Sequence, residues 1–334
     1  MPRRPATIRQ VAAAARVSVA TVSRALECPD IVAPETLERV RSVIQSLRYI
    51  PNAQARMLRT SRTGLVVALV PDIANPFFSE VIRGIERVAH ATDYAVLLGD
   101  TQNDPARELS YARMLAKRQA DGLIIMVPRL PPRNVFASFP LVNACEYVPE
   151  SGVTTVSVDN AAGASTAIAH LTGLGHKHIA FISGPRPSAI CLERERGYRE
   201  AMQTRQLLAD PRLEGVGDFS VESGVRATRE FLTKKLTFTA IFCANDEMAI
   251  GAIQELHAWG LSVPADVSVV GFDDIRYAQY ANPPLTTIAQ PKMELGQISM
   301  QCLLDILDQP HRPVINIVLP ISLIVRKSTG PAPA

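Results

Sequence analysis

The chain is poor in the residues that mark specialised protein classes. Cysteine occurs five times in 334 residues, at 28, 145, 191, 243 and 302, an odd number with no C-x-x-C pair. That pattern excludes a disulfide framework and a cysteine-built zinc site. No apolar run approaches the roughly 18 residues that a membrane helix needs. The longest, such as Leu65–Val70 and Gly122–Val127, have the length of strands. Met1-Pro2-Arg3-Arg4 leads into no apolar segment, so no secretory signal is read there and a cytoplasmic location is expected. Neither G-x-x-x-x-G-K-[ST] nor G-x-G-x-x-G occurs, which removes the two common glycine-rich phosphate cradles. Lysine is missing from the first 62 residues altogether.

What remains is ordinary globular composition, 47% hydrophobic and 20% charged, at a length suited to two or three folding units. The net charge of +3 hides an asymmetry. Residues 1–62 carry eleven arginines against four acids, a net of +7, while the other 272 hold 24 bases and 28 acids, a net of −4. A basic head on a mildly acidic body suggests that the head meets a polyanion.

Thr7-Ile8-Arg9-Gln10 has the spacing of a capping box, so a helix is expected from Ile8, with Val11, Ala12 and Ala15 on one face. Ser18 can cap a second helix, Val19–Leu26, with Val22 and Leu26 inward. Pro34 and Glu35 open a third, whose apolar face reads Leu37, Val40, Ile44, Leu47. The brief link between the first two suits a helix-turn-helix. The outer side of the second helix then carries Val19, Ala20, Thr21, Ser23 and Arg24. Short side chains permit close approach to base edges, and an arginine can pair with guanine O6 and N7.

The segment TIRQVAAAARVSVATVSRAL resembles the head of the lactose/galactose-repressor family of bacterial transcription regulators, through the motif V-S-x-x-T-V-S-R-x-L. The resemblance implies that Val19 and Ala20 specify bases, that Thr21 and Ser23 meet phosphates or base edges, and that Arg24 contacts guanine. Thr7 and Ser18 join this DNA-binding set. It also implies paired hinge helices within residues 49–62, with Asn52 as a cap and Leu58 wedged into the minor groove. A helix that short is unstable alone in water, so it would order only against a partner. A plain flexible linker is the simpler alternative.

From Gly64 onward, apolar strands alternate with amphipathic helices, the mark of parallel α/β layering. Expected strands are Leu65–Val70, Ala95–Leu98 and Leu123–Met126, and a second series opens at Thr154–Val158 and continues through Ile179–Ile182, Ala240–Cys243 and Val267–Val270. Helices are expected after Asn75-Pro76 and Asp104-Pro105, and over Ala161–Gly173, Cys191–Thr204, Val221–Leu232, Asp246–Trp259 and Lys292–Leu307, before closing strands at Val314–Val318 and Leu323–Val325.

The segments PDIANPFFSEVIRGIE, GDFSVESG, VPADVSVVGFDDI and NPPLTTIAQP look like the cytidine-repressor and purine-repressor branch of the same family. The fold class implied is α/β: a three-helix helix-turn-helix head and hinge helix, then a two-lobed core like the periplasmic binding proteins. The expected boundaries are 1–48 for the head, 49–62 for the hinge and 63–330 for the effector core. Its first lobe would take about 63–158 plus 292–320, and its second about 159–291 plus 321–330. Carried over residue by residue, the effector would meet Phe77, Phe78, Arg194, Phe219, Asn245 and Asp273. Core packing for the two phenylalanines and helix capping for Asn245 stand as plainer readings.

The family pattern implies a homodimeric repressor on a palindromic stretch of double-stranded DNA, controlled by a nucleoside, a purine-like molecule or a sugar. No membrane, metal or cofactor is expected, and no catalytic role. His170 and His176-Lys177-His178 lack the carboxylates that would complete a metal set, and Asp273-Asp274 has no nucleophile motif beside it. A solute-binding protein or a sugar- or nucleoside-acting α/β enzyme would share the core pattern. The first would carry a signal peptide in place of Thr7–Leu26, the second a catalytic constellation. The hinge reading has a direct consequence. Leu58→Gly should weaken operator binding and reduce DNA bending, measured by gel shift on circularly permuted fragments, with the core's ligand affinity unchanged. Normal bending by the variant would reduce the segment to a tether.

Overall fold

The computed structural model describes residues 6–50, 62–130, 139–146, 152–186, 188–207 and 209–333. Asn52 and Leu58 lie outside the described residues. Contacts divide the chain into two compact units, Met1–Thr63 and Gly64–Ala334.

In the first unit, α1 (Ile8–Ala15), α2 (Val19–Glu27) and α3 (Pro34–Leu47) pack around a core of Val11, Ala12, Ala15, Val22, Ala25 and Val40. Thr7 closes the expected capping box: its backbone N–H donates to Gln10 Oε1 at 2.8 Å, and Gln10 N–H returns to Thr7 Oγ1 at 3.4 Å. The turn into α2 passes through Arg16 with φ 54°, after which Ser18 Oγ accepts from Thr21 N–H at 3.0 Å. Arg39 of α3 donates from Nε to the Ala15 carbonyl, tying α3 to the end of α1. Two expected core positions turn outward: Leu26 is 37% exposed and Leu47 39%. Ala25, 7% exposed, takes the inward place on α2.

The second unit holds two six-stranded sheets. The first runs β11-β5-β4-β3-β1-β2, from β1 (Leu65–Val70), β2 (Ala95–Asp100), β3 (Gly122–Ile125), β4 (Leu141–Ala144), β5 (Thr154–Val158) and β11 (Asn316–Leu319), all parallel. The second runs β12-β10-β9-β8-β6-β7, from β6 (Ile179–Ser183), β7 (Glu214–Val216), β8 (Ala240–Cys243), β9 (Ser268–Asp273), β10 (Thr286–Ala289) and β12 (Ser322–Ile324). It is parallel except where β12 meets β10.

Helices α4 (Pro76–Ala91), α5 (Pro105–Ala116) and α10 (Lys292–Asp308) pack on the first sheet, and α6 (Asn160–Gly173), α7 (Ala189–Thr204), α8 (Val221–Thr233) and α9 (Asp246–Ala258) belong with the second. The chain therefore passes between lobes three times: after β5, after β10, and between β11 and β12. Thr154–Val158 closes the first sheet instead of opening the second series. Its partners are β4 and β11, on the first-lobe side of the expected boundary at 158. Three strands escaped the sequence reading: β4, β7 and β10. Each has only three or four residues, too few for a period to show.

Side chains of the chain's own loops start the helices. Asn75, Asp104, Asp159, Ser220 and Asn245 each accept from a backbone N–H two or three residues on. The first lobe also depends on glycine where α4 crosses α10. A Cβ on Gly296 would stand 2.0 Å from the Val81 carbonyl oxygen, and one on Gly84 2.1 Å from that of Met293. That close crossing fixes the start of α4, which reaches the cleft described below. Gly296→Val should therefore destabilise the core by about 1–3 kcal/mol or more, as overpacking does. Gly173→Ala, with nothing within 4 Å of the new methyl, should be neutral or slightly stabilising in the same urea titration.

Candidate functional site

On the head, the N-terminal turn of α2 presents one face outward. Val19 is 42% exposed, Ala20 and Arg24 are exposed, and Thr21 and Ser23 are half-buried. Ser18 and Thr21 also share a hydroxyl–hydroxyl hydrogen bond at 2.9 Å, so Ser18 acts through the cap it makes. Thr7 likewise spends its side chain on the start of α1. The remaining five are on the outer side of a helix whose inner side is Val22 and Ala25.

The second site is a cavity of about 370 Å³ in the core unit. Its walls are the carboxyl ends of strands from both sheets, where ligands collect in open α/β folds. The segment after β1 and the first turn of α4 bring Phe77 and Phe78, whose rings meet edge to face with centroids 5.1 Å apart. The end of β4 brings Cys145 and Glu146, and α7 brings Arg194. The segment after β7 brings Phe219, the start of α9 brings Asn245 and Glu247, and β9 and β10 end in Asp273 and Gln290. All six effector candidates named from sequence thus line one cavity. Four of its residues hold left-handed backbone: Asn103 at φ 57°, Cys145 at φ 71°, Phe219 at φ 70° and Asp273 at φ 117°. Such conformations cost energy in non-glycine residues and concentrate where geometry serves a ligand.

The candidates differ in how free they are. Arg194 is 3% exposed; Nε donates to Asn160 Oδ1 at 2.9 Å, Nη1 donates to the Ala244 carbonyl, and Nη2 lies 3.9 Å from Asp273 Oδ1. Its guanidinium also sits 3.7 Å over the Phe272 ring. Burial disfavours its charge, and Asp273 foremost restores it. Asn245 caps α9 with Oδ1 and donates from Nδ2 to the Phe219 carbonyl at 2.9 Å, so the capping reading describes its side chain. Of the two phenylalanines, Phe77 is 7% exposed and joins the core, while Phe78 is half-buried.

Asp273 is the hub of the polar floor. Oδ1 accepts from Gln290 Nε2 at 2.7 Å, and the Asp273 and Asp274 carbonyls each accept from Lys292 Nζ at 2.7 Å. Burial pushes its carboxyl up to about 6, against the pull of Arg194. Behind it, Asp246 is fully buried between the Ile275 N–H and the Thr287 hydroxyl, and burial raises its carboxyl well above the usual range. Glu146, Glu247 and Gln290 belong to the cavity but were not among the sequence candidates. Gln290 stands directly before Pro291 in a quoted motif, and that place between strand and helix was its one signal.

The histidines set aside as metal ligands have structural partners. His176 bonds to Thr239 at 2.9 Å and to the Gly330 carbonyl at 3.0 Å, and His170 to Thr329 at 2.9 Å, holding the C-terminal segment to the second sheet.

Comparison with known proteins agrees with this geometry. Residues 7–52 match the bacterial regulatory proteins of the lacI family, and residues 168–329 match the periplasmic binding protein-like domain. The HTH-type transcriptional repressor CytR of Escherichia coli K12 is 38% identical over 335 residues, spanning 98% of this chain and 97% of that protein. The HTH-type transcriptional repressor PurR of Photobacterium profundum is 36% identical, over 97% and 98%. Among solved structures, a lac repressor dimer bound to operator and the anti-inducer ONPF aligns with TM-score 0.89 at 29% identity, covering 98% of this chain and all of that one. A complex of the transcriptional regulator CelR with cellobiose aligns with TM-score 0.75 at 33% identity, over 97% and 99%.

The bonds of Arg194 imply a stability role beside any ligand role. Arg194→Ala leaves the Asp273 carboxylate buried beside a vacated site, and should cost about 3–5 kcal/mol in urea unfolding of the core. A loss below about 1 kcal/mol, the size of an exposed pair, would show that water reaches the site.

Proposed function

We propose a working cycle for this chain, which belongs to the lacI family of bacterial regulatory proteins and is a DNA-binding transcriptional repressor, not an enzyme. Two copies bind a palindromic operator, because one small head neutralises few phosphates and a two-fold protein reads a two-fold site. Residues 1–48 form the head and 49–62 the hinge, with Asn52 and Leu58 at the duplex; 63–330 form the effector core, its lobes divided as set out from sequence. Val19 and Ala20 face base edges, Thr21 and Ser23 the groove wall, and Arg24 a guanine. Its place is the cytoplasm, where a repressor has access to chromosomal DNA.

The effector is a small molecule held between the lobes, a nucleoside or purine-like compound, with a sugar as the second reading. The observation that carries this is the cavity itself: phenylalanine rings on its walls above a floor of hydrogen-bonded Asp273 and Gln290. Apolar walls with a few fixed polar groups suit a flat ring bearing hydroxyls. Closure of the lobes on the ligand then shifts the population of heads that are competent for DNA. A few kcal/mol of differential affinity suffices for such a shift.

Two variants test the cycle. Arg24→Ala should cost about 1–3 kcal/mol on operator DNA in fluorescence anisotropy, with little change on random DNA. Equal losses on both would make Arg24 a phosphate contact. Asp273→Ala should abolish the ligand's effect on operator affinity while operator binding without ligand persists. A variant that still responds at wild-type ligand concentrations would remove Asp273 from the pocket.

A further inference from the structure

Charge in the cleft is one-sided. Asp72, Glu146, Asp218, Glu222, Glu247 and Asp273 all line it, and Arg194 is the single cation among the described lining residues. The Arg194 guanidinium is already committed to Asn160, Ala244, Asp273 and the Phe272 ring. Among the described lining residues no second cation is present to neutralise a phosphate, and a like charge brought among carboxylates costs several kcal/mol.

Within this wall Glu146 stands apart. It is the second residue after β4 and is 6% exposed; the Ile190 backbone N–H donates to its carboxyl and Ser188 Oγ reaches Oε1 at a long 3.5 Å, while Oε2 is buried with no hydrogen-bond partner. A buried, half-satisfied carboxyl is costly unless something pairs with it. If ionised it could only accept; as a neutral acid it offers a donor and an acceptor side by side. That is the complement of a heterocyclic base edge, where a ring nitrogen and an exocyclic group present one of each.

We propose that Glu146, as a neutral carboxylic acid, reads the base edge of an uncharged nucleoside in the cleft, and that the acidic walls exclude its phosphorylated forms. This rests on the cleft being the effector site and names the class of ligand that it takes. Burial holds the Glu146 carboxyl up at about 7, against the pull of Arg194. Cys145 beside it and Cys191 on α7 are the other titratable groups that feel its charge, and burial pushes both thiols up. Glu247, across the cavity, is held at about 7 by burial and by Asp72, Asp273 and Glu222.

The test is calorimetry on the full chain with cytidine, uridine, adenosine and inosine, each beside its 5′-monophosphate, and ribose beside ribose 5-phosphate. At least one nucleoside should bind, with its monophosphate more than about tenfold weaker. Its affinity should fall as pH rises from 6 to 8.5, approaching about tenfold per pH unit once Glu146 would otherwise ionise, the slope of one linked proton. The near-isosteric Glu146→Gln keeps a donor and an acceptor in place without a titrating group, so its affinity should be flat over the same range. Glu247→Gln should keep the slope, which assigns the proton to Glu146. A monophosphate that binds as tightly as its nucleoside, a flat wild-type profile, or a slope surviving in Glu146→Gln overturns the proposal. Binding by ribose alone, or by none of the panel, overturns it too. A nucleoside that obeys every rule here yet leaves operator affinity unchanged would instead overturn the effector cycle.

Discussion

The core is organised around one buried electrostatic contact, the Arg194 guanidinium held against Asp273. Removing a charge from water costs several kcal/mol, which is recovered only when every donor finds an acceptor in good geometry. Arg194 recovers part of that cost through Asn160 from α6, the carbonyl just after β8, the carboxylate that ends β9 and an aromatic face beneath it. Three segments of the second lobe thus converge on one side chain. The ends of β8 and β9 are placed as they are because an arginine stands between them.

From Asp273 the network leaves the second lobe. Lys292 begins α10, which packs on the first sheet, and its ammonium holds the Asp273 and Asp274 carbonyls while lying 4.0 Å from Glu80 on α4. The strained turn at φ 117° and 54° is pinned from both lobes at once, beside one of the three crossovers. A ligand that engages the Asp273 carboxyl therefore acts on a residue whose carbonyl is held by Lys292 at the start of α10. The Gly84–Gly296 contact packs α4 closely against α10, so Lys292 and the helix whose first turn carries Phe77 and Phe78 share one packed pair.

Much of this was legible in the residues. Capping side chains at Thr7, Ser18, Asn75, Asp104 and Asn245 are local chemistry, and the helices begin where they stand. The six effector candidates came from motif resemblance and meet in one cavity. Glu146 and Glu247 did not stand out, because a carboxylate in sequence carries no mark of whether it will be solvated or buried. Their environment is set by elements more than 20 residues away, α7 for Glu146 and the segments bearing Asp72 and Asp273 for Glu247. Leu26 misled for a related reason: helical spacing identifies an apolar face, yet which of two adjacent residues points inward depends on how closely a neighbouring helix approaches.

The sequence by itself determined what depends on near neighbours: a basic head with a capped three-helix pattern, an exposed Val19–Arg24 face, alternating strands and helices, and the absence of catalytic motifs. Tertiary structure alone decided the short strands β4, β7 and β10, which hold too few residues for a period to show. It also decided that Arg194 is engaged by Asn160, Ala244 and Asp273 while Oε2 of Glu146 has no hydrogen-bond partner. Hydrogen-bond satisfaction is a property of atoms brought together from distant segments, and no local pattern encodes it.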